Sequence, residues 1–72
     1  MADEGKVYRV TEVVGTSTES VQQAVRNAVK RANETLRNLD WFEVGQVRGT
    51  IGENGEVGEF QVAVKIGFRL DG

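Results

Sequence analysis

Residues 58–70, Gly58-Glu59-Phe60-Gln61-Val62-Ala63-Val64-Lys65-Ile66-Gly67-Phe68-Arg69-Leu70, alternate in character with a period of two. Phe60, Val62, Val64, Ile66, Phe68 and Leu70 fall on one side; Glu59, Gln61, Ala63, Lys65, Gly67 and Arg69 fall on the other. This is the pattern of a β-strand with one face to bury. Just before it, Gly52-Glu53-Asn54-Gly55 carries the Asn-Gly pair that marks a tight hairpin. The other arm of that hairpin is Trp41 to Ile51. Further back the period changes. Val21, Ala24, Val25, Ala28, Val29, Ala32, Leu36 and Leu39 follow helical spacing, which predicts a helix from about Thr18 to Leu39. Its alanines allow a close approach to a sheet. Thr16 with Glu19 fits a capping box and Ser17 is an alternative N-cap; Arg37 suits the C-terminal dipole and Asn38 can cap the end. Lys6 to Val14, rich in valine, reads as the first strand, and residues 1–5 as a mobile polar start. The fold class is therefore α+β with β-α-β-β order: one long helix on one face of a three-stranded, mostly antiparallel sheet. The 72 residues form a single domain.

Composition narrows the function. The chain has no cysteine and no histidine, so it lacks a disulfide framework, thiolate chemistry and the usual zinc ligands and neutral-pH base. A net charge of −2 disfavours nucleic-acid binding. No apolar run exceeds three residues, too short for a membrane span, and the N-terminus lacks the features of a signal peptide, so a cytoplasmic location is expected. Domains below about 70–80 residues usually need a staple, and without disulfides or a metal the favoured one is oligomerisation. The layer count agrees, because one helix covers only one face of the sheet.

With Asn54-Gly55 as the centre of a two-residue turn, Arg48 falls opposite Gln61, Gln46 opposite Ala63, Val44 opposite Lys65 and Phe42 opposite Gly67. This register puts Phe42 and Val44 on the uncovered face and Trp41 on the helix side near Phe68. A bulge at Gly45 or Gly49 would reverse the facing of everything before it. Catalysis is not expected: Asp40 and Glu43 flank Trp41-Phe42, but no nucleophile or metal signal accompanies them. Gly45 and Gly49 lack the following helix and lysine of a phosphate loop. Trp41, the single tryptophan, is either a core residue or a stacking platform for a flat aromatic ligand. Gln61 offers a donor and an acceptor to the edge of a planar heterocycle, or else is merely solvated. Arg48 and Arg69 could hold a phosphate or pair with carboxylates such as Glu59.

Leu39-Asp40-Trp41-Phe42-Glu43-Val44, Arg48-Gly49, Phe60-Gln61-Val62 and Val64-Lys65-Ile66-Gly67-Phe68-Arg69-Leu70, together with Lys6-Val7-Tyr8 and Val14-Gly15-Thr16-Ser17, resemble the dodecins, a family of small flavin-binding proteins. The resemblance implies a hollow homododecamer with its helices outside. It implies flavins bound in pairs at subunit contacts, between tryptophans matching Trp41, with Gln61 at the pyrimidine edge. It further implies FMN (or riboflavin) as ligand, coenzyme A in some members, and a role for Arg48 and Arg69 at the phosphates. The implied function is storage of flavin and quenching of its photochemistry, without turnover. A coenzyme A or nucleotide carrier and a purely structural shell are the alternatives.

Overall fold

The computed structural model describes residues 3–71; Met1 and Ala2, part of the expected mobile start, lie outside them. Four elements follow in order: β1 (Tyr8–Ser17), α1 (Val21–Thr35), β2 (Leu39–Ile51) and β3 (Val57–Arg69). The sheet is antiparallel in the order β1-β3-β2, so the cleanly alternating strand is the central one. Its even-numbered residues Val62, Val64 and Ile66 are fully buried beneath Ala24, Ala28 and Ala32 of α1. Each such burial is worth about 1.5–3 kcal/mol. Partly buried Val13, Val21, Val25, Val29, Leu36 and Leu39 pack around this core.

The helix is shorter than its apolar stripe. Thr16 and Ser17 belong to β1 rather than to a cap. Ser17 Oγ accepts from the backbone N–H of Glu19 and turns the chain, and Ser20 is the N-cap, accepting from Gln23 N–H at 2.9 Å. The helix ends at Thr35, so Arg37 lies beyond its last turn. Asn38 then adopts φ 63°, a left-handed conformation that asparagine tolerates. Its side chain donates to the carbonyl of Arg69 at 3.3 Å, and its own carbonyl accepts from Arg69 N–H at 3.0 Å. This turn puts Leu39 into β2, opposite Phe68, instead of at the end of the helix.

Two departures from a regular ladder shape the hairpin. Gly55 N–H donates to Gly52 O and Gly52 N–H to Glu56 O, enclosing a three-residue loop, Glu53 to Gly55, with Gly55 at φ 77°. The turn is thus one residue longer than the two-residue Asn-Gly turn expected from the pattern. An irregularity between Gly49 and Ile51 then absorbs the difference, so Arg48 does pair with Gln61. Here Thr50 Oγ1 accepts from Glu59 N–H at 2.9 Å. A second irregularity, between Val44 and Val47, is the bulge at Gly45-Gln46. It moves Val44 opposite Val64, Phe42 opposite Ile66 and Trp41 opposite Gly67.

The face assignment before the bulge is therefore corrected. Phe42 and Val44 share the helix side with Ile66 and Val64, while Trp41 lies on the outer face. One extra residue in a strand inverts the facing of all that precede it, because the side-chain period is two.

The chain alone is not compact. Its radius of gyration is 15.6 Å, against about 11 Å for a globular chain of this length. The 15-residue helix is about 22 Å long. The 13-residue strands run about 43 Å, so much of the hairpin projects beyond it. Ile51 and Val57 are exposed in consequence, whereas Phe42, Val44 and Val47 are exposed because the helix lies over β1 and β3 and leaves the edge strand β2 largely uncovered. Among the described residues no helix is long and apolar enough to cross a membrane.

Candidate functional site

The outer face of the sheet follows from the register. Tyr8, Val10, Glu12, Val14 and Thr16 of β1 stand opposite Arg69, Gly67, Lys65, Ala63 and Gln61 of β3. Trp41, Glu43 and Arg48 of β2 stand opposite Gly67, Lys65 and Gln61. All four residues singled out from the sequence, Trp41, Gln61, Arg48 and Arg69, thus share one face.

They form two clusters rather than one. At one end, Arg48 Nε donates to Gln61 Oε1 at 2.7 Å, and Gln61 Nε2 donates to Glu59 Oε1 at 3.1 Å. This chain fixes which end of the amide is donor and which acceptor. Among the described residues no carboxylate lies within ion-pairing distance of Arg48 or Arg69, the one ion pair being Arg31–Glu34 on the helix. Neither guanidinium group is thus neutralised by a carboxylate of the described residues.

At the other end, the indole of Trp41 lies over Gly67. A Cβ at position 67 would collide with Trp41 Cε2, Cζ2 and Cδ2, so the ring occupies the space that any other residue's side chain would take. Trp41 remains 41% exposed. Tyr8 stands beside it, with ring centroids 6.2 Å apart and planes tilted by 57°. The Tyr8 hydroxyl donates to Asp40 Oδ2 at 2.6 Å. That bond, with desolvation and the Asp40 charge, raises the Tyr8 pKa, while the nearby Arg69 charge opposes the shift.

Gln61 and Gly67 are six residues apart on β3, which puts Gln61 about 20 Å from the Trp41 position. One planar ligand cannot touch both within a single chain. Arg69 lies near the Trp41 cluster and Arg48 near the Gln61 cluster.

Tyr8, Asp40, Gly67 and Glu59 complete these clusters, although nothing in the sequence singled them out as a group. Gly67 had a legible signal, a glycine in a strand where a side chain was due, which marks a close approach. Asp40 did not, because its partner is 32 positions away.

The Dodecin family model matches residues 7–71. The chain belongs to the dodecin family. A curated dodecin of Thermus thermophilus is 57% identical over 67 residues, covering 93% of this chain and 96% of that protein. The structure of dodecin from Streptomyces coelicolor superimposes with a TM-score of 0.89 at 61% identity, covering 97% of this chain and 99% of that one. A more distant neighbour is the calcium dodecin of Mycobacterium tuberculosis, a calcium-chelating antigen with a calcium-binding site. It matches at 25% identity with a TM-score of 0.78, over 90% of this chain and 91% of that one. Among the described residues of the present dodecin, no group of three or more acidic, histidine or cysteine side chains is placed to hold a metal ion.

Proposed function

We propose that the chain is a flavin-binding protein that stores or sequesters FMN (or riboflavin) and quenches its photochemistry, with the site completed only by assembly. The observation that carries this reading is the half-exposed indole of Trp41 on its glycine bed, about 20 Å from Gln61 on the same face. A ligand stacked on Trp41 and read by Gln61 therefore takes the two residues from different subunits. The extended shape, the exposed apolar residues of β2 and membership of the dodecin family support a hollow homododecamer as the assembly.

In this reading Trp41 supplies the stacking surface, worth about 1–3 kcal/mol per ring. Gln61, its amide polarity set by Arg48 and Glu59, presents donor and acceptor to the ring edge. Arg48 and Arg69 favour a phosphorylated tail. An indole stacked on a photoexcited flavin can donate an electron and take it back, so light energy is dissipated without chemical turnover.

Titration of FMN with the assembled protein, followed by flavin fluorescence, tests the proposal. Saturable quenching near one FMN per chain is expected. An oligomer that leaves FMN fluorescence unchanged overturns it. Coenzyme A is the competitor to include, because the two unneutralised arginines would also suit its phosphates.

A further inference from the structure

The contact between Tyr8 and Asp40 is not a neighbour contact. Tyr8 is on β1 and Asp40 on β2, and β3 runs between them. The two outer strands are about 9–10 Å apart, so the phenol must reach across the central strand to donate its 2.6 Å bond. Glycine at position 67 leaves the central strand bare between Val10 and Trp41. Asp40 sits at the irregularity between Leu39 and Trp41, immediately before the tryptophan, so an anchor on Asp40 acts on the backbone that carries the indole.

We propose that Tyr8 is a positioning residue for the ligand face of Trp41. Its hydroxyl, latched to Asp40 across β3, and its tilted ring hold the indole over Gly67 and leave the exposed part of the indole free for a planar ligand. The tilt matters. At 57° the phenol is not stacked parallel on the indole, and Trp41 keeps 41% of its surface exposed, so the latch restrains the ring and leaves part of it open. Preorganising an aromatic surface reduces the ordering cost of binding. The consequence for ligand affinity rests on the flavin reading above; the latch itself does not.

The chain contains one tryptophan and one tyrosine, so indole emission reports on Trp41 alone. Time-resolved fluorescence anisotropy of the flavin-free protein should show a larger fast depolarisation in Tyr8→Phe and Asp40→Ala than in wild type. Asp40→Asn, whose amide oxygen still accepts from the phenol, should stay close to wild type. In the same samples FMN affinity should fall about fivefold for Tyr8→Phe and Asp40→Ala, the usual effect of one lost hydrogen bond. Equal anisotropy in wild type, Tyr8→Phe and Asp40→Ala overturns the latch. A looser indole with unchanged FMN affinity overturns its role in binding. Wild-type protein that fails to quench FMN overturns the flavin reading instead, and the anisotropy still decides the latch.

Discussion

Gly15 and Gly67 lie on opposite faces of the same sheet and solve the same steric problem. A Cβ on Gly15 would run into the carbonyl oxygen of Ala24 and the methyl of Ala28; one on Gly67 would run into the Trp41 indole. The obstacle differs in kind. Above Gly15 is helix backbone, tied at both ends by the Ser20 cap and the Asn38 turn. Above Gly67 is one side chain, restrained by Tyr8 and open to solvent on its far side. One glycine therefore serves the fold and the other the candidate site.

The largest expected effect is Gly15→Ala. The helix would have to lift off β1 and β3, uncovering Val62 and Val64, and we expect a loss of about 3 kcal/mol or more in denaturant unfolding. A loss below about 1 kcal/mol would break the comparison, because it would show the helix free to shift. Trp41→Ala comes next and acts on the other face. It should abolish tight FMN binding, removing about 1–3 kcal/mol per stacked ring, while leaving the oligomer intact by light scattering. Gly67→Ala sharpens the contrast. The methyl displaces the indole, so FMN quenching should weaken while the unfolding midpoint shifts far less than in Gly15→Ala. Gln61→Ala, at the other end of the outer face, should weaken FMN binding by about 1–3 kcal/mol without affecting indole anisotropy.

The smallest effect is spectroscopic. The single tyrosine should ionise above its usual value near 10, because the neutral phenol donates to Asp40. Asp40→Asn should lower that midpoint and Arg69→Ala raise it, in ultraviolet titrations. The sign of the linkage follows. A raised folded-state pKa means that the latch contributes fully below the unfolded pKa and is lost as pH rises through the folded one.

Much of the fold was legible because helix and strand periods are local. The Ala24, Ala28 and Ala32 stripe announced a helix lying close to a sheet, and Val62, Val64 and Ile66 announced the strand beneath it. The helix ends were misplaced for an equally local reason: Thr16, Ser17, Ser20 and Asn38 all have capping chemistry, and only the strand pairing of Thr16 and Ser17 leaves Ser20 as the cap. Of the candidate site, the residue types were legible in Trp41, Gln61, Arg48 and Arg69. Their separation into two clusters was not, since it depends on position along β3.

The sequence by itself determined the order and kind of the elements and the identity of the buried strand face; the pairing of Arg48 with Gln61 follows only because the irregularity between Gly49 and Ile51 offsets the longer turn. Only the tertiary structure decided which face Trp41 takes. That choice turns on one extra residue at Gly45-Gln46, and alternation before and after a bulge is equally regular, so the pattern could not say whether the bulge forms. The structure resolves it, with its close packing at Gly67. With the bulge, Phe42 and Val44 join Ile66 and Val64 on the helix side, and Trp41 meets the one position on its stretch of β3 without a side chain.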